Sequence, residues 1–71
     1  MLDPRDYSLS RSQWEHRIDE YIFSERDRAI VKRKMLDDVT FERLAEEYEL
    51  SVQRTKVIVG EAKTRLFQYL K

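Results

Sequence analysis

The chain has no cysteine, one glycine, one proline and one histidine among its 71 residues. Each scarcity excludes something. Without cysteine there is neither a disulfide framework nor a thiolate metal site. A single glycine, Gly60, leaves no material for a glycine-rich phosphate loop. A lone histidine, His16, has no second histidine or cysteine with which to build a catalytic triad. No apolar run approaches the roughly 20 residues of a membrane span, and no signal-peptide core is present. The reading is therefore a cytoplasmic protein with no catalytic residues, no metal, no cofactor and no membrane partner.

What is present is charge. Asp, Glu, Lys and Arg make up 39% of the residues, and the formal net charge is zero. With glycine and proline so rare, this composition indicates mostly helix with short connections. A chain of this size makes one small domain, residues 1–71, which buries only about 60% of its unfolded surface and gains from a partner or a dimer contact. The charge is unevenly spread. Residues 1–36 hold eight Lys/Arg and seven Asp/Glu, net +1. Residues 37–49 hold one Arg and six acids, net −5, and residues 51–71 hold five Lys/Arg and one Glu, net +4.

Periodicity divides the chain into four helices. Residues 1–9, with Pro4 and no periodic pattern, read as a flexible start. Ser10 caps a first helix, about Arg11 to Phe23, with Trp14, Ile18, Tyr21 and Ile22 as its apolar stripe. Ser24 caps a second, about Glu25 to Leu36, with Asp27 in the place of a weak capping box. Its inward residues are Ala29, Ile30, Met35 and Leu36. Asp37 and Asp38 form a break, and Thr40 caps a third helix, about Phe41 to Tyr48. Phe41, Leu44, Ala45 and Tyr48 stand at i, i+3, i+4 and i+7, one helical face. Leu50 breaks that spacing. Ser51 caps a fourth helix, about Val52 to Leu70, on which Thr55, Ile58, Val59, Ala62 and Leu66 share a face. The fold class is all-α, four helices around one core.

Two amphipathic helices joined by about three residues cross steeply and need a small residue at the crossing; Ala45 supplies it. Such a pair is a helix-turn-helix, whose second helix can enter the major groove of DNA. The run from Ser24 to Leu66, about three fifths of the chain, resembles region four of sigma-70-type transcription initiation factors. The matching pieces are Glu25–Val31, Asp37–Thr40, Phe41–Ser51, Arg54–Ile58 and Ala62–Leu66. On this view residues 24–71 form the sigma-region-four-like unit and residues 10–23 a helix outside it.

The resemblance implies a promoter-reading function in transcription regulation, in the manner of stand-alone regulators of phages or mobile elements. At this length it implies partial function: no segment remains to melt a promoter or grip the polymerase clamp. The protein would then act with RNA polymerase, with another regulator subunit, or as a homodimer. The family's recognition face is rich in Arg, Glu and Gln. Here Val52, Val57 and Gly60 replace polar residues, Glu49 stands where a turn glycine is usual, and Thr55 replaces a core aliphatic.

The outward residues of the fourth helix are Gln53, Lys56, Val57, Gly60, Lys63 and Thr64, with Val52 at its tip. For double-stranded DNA, the candidate contacts are Ser51, Gln53, Arg54, Lys56, Val57 and Lys63. Ser51 offers a hydroxyl beside the helix amino terminus. Gln53 and Lys56 suit base edges, Arg54 and Lys63 suit phosphates, and Val57 suits a thymine methyl. A second reading is a protein-interaction module of the same fold without DNA binding. The corresponding polymerase-facing surface is then Ile30, Val31, Lys34 and Met35, and a Val57–Gly60–Phe67 stripe is the candidate for self-association. The acidic third helix beside the basic fourth has two readings as well: a helix facing phosphates, or packed neighbours that trade charge. Phe67 lies more than about 90° from the core direction on a wheel of 100° per residue. It is either exposed or packed on the first helix.

Overall fold

A computed structural model describes residues 9–68. It contains four helices: α1 (Arg11–Tyr21), α2 (Glu25–Asp37), α3 (Phe41–Glu47) and α4 (Val52–Gln68). No strand occurs among the described residues. The fold class is all-α, as the composition and periodicity require. None of these helices is long and apolar enough to cross a membrane. Of the flexible start assigned to residues 1–9, residues 1–8 lie outside the described residues, as does the extension of the last helix to Leu70; Leu9 is half-buried against the core.

The helix starts follow from local chemistry. An α-helix leaves its first amides without partners, and a side-chain oxygen one residue earlier satisfies one of them. Ser24, Thr40 and Ser51 accept from the amides of Asp27, Arg43 and Arg54 at 3.3, 3.2 and 3.0 Å. The reciprocal capping box forms at Ser10, not at Ser24. Ser10 Oγ accepts from the Gln13 amide at 3.2 Å, and Gln13 Oε1 accepts from the Ser10 amide at 2.8 Å. Asp27 is one bond too short to copy this, and its carboxylate is engaged by Arg26 at 3.0 Å.

The helix ends differ more from the periodic pattern. α1 stops at Tyr21, two residues before the expected Phe23, because Ile22 turns extended (φ −112°, ψ 114°). That turn buries Ile22, leaves Phe23 84% exposed and delivers Ser24 in the extended backbone a cap needs. α2 runs on to Asp37, and Asp38 stops it in the left-handed region at φ 54°, where Asp is tolerated better than most residues. The amide of Val39 then donates to Arg33 O at 3.2 Å. After α3 the chain repeats the device with a less suitable residue. Glu49 adopts φ 56°. Its amide donates to Glu46 O at 3.4 Å, and the Leu50 amide donates to Ala45 O at 2.8 Å. This is the two-bond C-terminal motif that usually carries glycine at the left-handed position.

Side-chain burial falls into two clusters that share α2 and α4. The first joins Trp14, Ile18 and Ile22 of α1 and its end to Val31, Ala62, Leu66 and Phe67. The second joins Ile30, Leu44, Ile58 and Val59, with Phe41, Tyr48 and Leu50 packed against it. Neighbouring residues Ile30 and Val31 therefore serve different clusters, and both have zero exposure. α1 runs antiparallel to α2. Arg11 at its start pairs with Asp37 at 2.9 Å, and Asp19 near its end pairs with Lys32 at 2.7 Å. The Lys32 ammonium, donating to Asp19, holds that carboxyl below its ordinary range.

Two expectations about surfaces are corrected by this packing. Ile30 and Val31 cannot belong to a polymerase-facing surface with Lys34 and Met35, because both are wholly buried; α1 lies over Val31. The Val57–Gly60–Phe67 stripe does not form a continuous face either. Phe67 is 6% exposed and its ring centre lies 5.4 Å from that of Trp14. Of the two positions open to Phe67, the structure takes the one against α1.

Candidate nucleic-acid interface

The amino-terminal half of α4 is where the candidate residues meet. The buried residues Thr55, Ile58, Val59, Ala62 and Leu66 fix which side of the helix faces the core. Thr55, polar and fully buried, is satisfied within its own helix: its hydroxyl donates to Ser51 O at 2.9 Å. This removes the cost of an unpaired buried hydroxyl and anchors the first turn of α4 to its cap.

Opposite the core, Gln53, Gly60 and Thr64 are exposed and Val57 is half-buried. At 100° per residue these four fall within one narrow outward strip, and none carries a charge. Charged residues border the strip on both sides. Lys56 and Lys63 flank it on one side, with Lys56 beside Phe41 of α3; Glu61, Arg54 and Arg65 flank it on the other. Ser51 caps the helix at the head of the strip. The structure thus gathers Ser51, Gln53, Arg54, Lys56 and Val57 at the amino-terminal half of α4, while Lys63 lies further along, in its carboxyl half; the settings are not equivalent.

The two flanks differ. Arg54 and Arg65 line a cleft with Ile22, Ile58, Ala62 and two carboxylates, Asp27 and Glu61. On the other side the ammonium of Lys56 stands 5.9 Å from the centre of the Phe41 ring, and that of Lys34 stands 4.4 Å from the same ring. Lys34 joins the site from α2. No local spacing announces it, because its neighbours on the ring come from two other helices.

Ion pairing bears on the charge asymmetry between α3 and α4. Glu47 of α3 is bound by Arg33 of α2 and by Arg43 of its own helix, at 3.4 Å from Arg43 Nε. Among the described residues no ion pair joins α3 to α4, and none uses Arg54, Lys56, Lys63 or Arg65. The reading in which packed neighbours trade charge finds no contact to support it.

Gly60 has a related bearing. It is helical, and a Cβ added there would meet nothing within 4 Å. The fold does not need glycine at this position. His16 stands in solvent with 84% of its side chain exposed, 3.9 Å from Glu20. Among the described residues no three His, Asp or Glu side chains are placed to hold a metal ion. No family model, curated protein or solved structure matches the chain.

Proposed function

We propose that this chain is a non-enzymatic DNA-binding protein acting in transcription regulation, with α3, its turn and α4 as a helix-turn-helix. α4 enters the major groove. The observation that carries the proposal is the outward face of α4: an uncharged strip of Gln53, Val57, Gly60 and Thr64, bordered by Lys56 and Lys63 on one side and by Arg54, Arg65 and Glu61 on the other, with no ion pair to these cations among the described residues. Such a face suits a duplex, where base edges lie between two rows of phosphates. Gln53 can form a bidentate pair with adenine, and Val57 can meet a thymine methyl. The resemblance of Ser24–Leu66 to sigma region four points the same way and adds RNA polymerase or another regulator subunit as partners. One half-site reader with so few phosphate contacts binds weakly at physiological salt, so a second subunit or a dimer is expected to assist it.

One observation favours a second reading, a protein-docking module. Val57 and Gly60 place an apolar side chain beside a bare stretch of backbone at the centre of the face. Two variants separate the readings. Val57→Glu sets a negative charge against the duplex and abolishes DNA binding, and Lys56→Ala weakens it, while sedimentation of the free protein stays unchanged. If Val57→Glu instead alters sedimentation and Lys56→Ala leaves duplex affinity untouched, the face docks protein.

A further inference from the structure

The two flanks of the α4 strip are not equally suited to an anion. On one, any phosphate approaching Arg54 or Arg65 also approaches Asp27 and Glu61. On the other, two ammonium groups from different helices converge on one aromatic ring, at 4.4 Å for Lys34 and 5.9 Å for Lys56. The negative face of a ring attracts a cation within about 6 Å of its centre. It neutralises neither charge, so two lysines held there repel each other. Among the described residues the carboxylate that pairs with either lysine is Asp38, 3.9 Å from Lys34. Its side chain is 96% exposed, whereas that of Lys34 is only 21% exposed. Solvent screens the Asp38 charge, and the pair is easily exchanged for a stronger one.

We propose that Lys34 and Lys56 together seat one backbone phosphate of duplex DNA, with Phe41 as the residue that positions them. This rests on the DNA-binding reading above and adds a contact from outside the recognition helix. A phosphate between the two ammonium groups relieves their repulsion and gains two charge-assisted hydrogen bonds. It also fixes the rotation of α4 in the groove, because the contact lies on α2 and the other flank repels the phosphate of the opposite strand more strongly. The lysine flank therefore supplies most of the electrostatic affinity, and the arginine flank supplies little.

The test is a set of salt titrations on a mixed-sequence duplex of 20 base pairs, with a thermal melt of every variant. Lys34→Gln with Lys56→Gln should flatten the log–log slope by about 0.9, the value of one phosphate contact; Lys34→Gln alone should flatten it by part of that, and Lys34→Arg should keep it. Arg54→Gln should change the slope less than Lys56→Gln does. Phe41→Leu should weaken binding several-fold, and Phe41→Tyr, which keeps the ring, should restore it. If Phe41→Leu lowers the melting midpoint, the Lys34→Gln and Lys34→Arg pair decides alone. A steep slope in the unmodified protein that Lys34→Gln leaves unchanged overturns the phosphate seat and spares the DNA-binding reading. A flat slope in the unmodified protein overturns both.

Discussion

The two clusters of buried side chains divide α4 into halves with different work. The carboxyl half is covered: α1 lies across it, and Trp14, Ile18 and Ile22 meet Ala62, Leu66 and Phe67. The amino half is buried on one side only, by Leu44 of α3 and Ile30 of α2, and its other side is left open. The covered half is built from large side chains, including two aromatic rings. The open half buries smaller aliphatic ones, with the rings of Phe41 and Tyr48 packed against them only partly buried, and carries Gln53, Arg54 and Lys56. A domain this small has little stability to spare, about 4–11 kcal/mol at 0.05–0.15 kcal/mol per residue. The larger buried side chains thus lie at the end of α4 away from the candidate face. That placement leaves the amino end free to carry groups that do nothing for the fold.

The largest blow to this division is struck at Trp14. Trp14→Ala removes the side chain that α1 sets against Phe67 and costs about 3–5 kcal/mol, a large share of the total. A circular-dichroism melt should show a lost or strongly lowered transition. A midpoint unchanged by Trp14→Ala would mean that α1 is an ornament and the open half folds alone.

Within the open half, Ala45 sits buried where α3 leaves for its turn, its carbonyl accepting from Leu50. Ala45→Leu overpacks that site at a cost of about 1–3 kcal/mol. The same melt, read against Trp14→Ala, ranks the two clusters. A larger loss at Ala45 than at Trp14 would invert the account.

Two substitutions should stabilise the open half, and both sharpen the contrast. Gly60→Ala fills no occupied space and should raise stability by up to about 1 kcal/mol. If the duplex backbone comes close to α4 there, the variant is more stable and binds less well, a combination that melting and titration together reveal. Glu49→Gly relieves a left-handed backbone that costs a side-chain-bearing residue about 1–2 kcal/mol. Part of that gain is offset by the entropy of glycine in the unfolded chain, so the net rise should stay below about 1 kcal/mol. A destabilised Glu49→Gly would show that the Glu49 side chain holds the turn.

The smallest effect concerns acid. Asp19 is held below its ordinary pKa by Lys32. A carboxyl depressed in the folded state stabilises above its unfolded pKa, and that contribution disappears as pH falls through the folded value. Lys32→Ala should remove the Asp19 share of acid sensitivity, seen as a shallower loss of melting midpoint below about pH 4. An unchanged acid limb would mean that the Asp19–Lys32 pair does not hold α1.

Much of the fold was legible in the residues because it is decided locally. Ser10, Ser24, Thr40 and Ser51 each precede a run with helical spacing, and each caps one. Thr55, Ile58, Val59, Ala62 and Leu66 repeat at core spacing and are buried. What escaped depends on which helix lies over which. Val31 and Phe67 sit off the stripes of their own helices, and only the arrival of α1 buries them. The left-handed Asp38 follows from a hydrogen-bond arrangement at Arg33 that no spacing encodes. At the candidate site, the α4 residues were readable from a wheel. Lys34 was not, because its place depends on three helices meeting at Phe41.

Among the described residues Arg54, Lys56, Lys63 and Arg65 of α4 join no ion pair; if they bind a polyanion, as proposed, the salt dependence of duplex affinity shows it most directly. One phosphate shared by Lys34 and Lys56, with one each at Arg54 and Lys63, makes three contacts and sets an upper limit of about 2.7 on the log–log slope at 0.9 per phosphate. With the arginine flank contributing little, the expected slope for a mixed-sequence duplex is about 2. A slope near zero between low and physiological salt, or no binding at either, would contradict it.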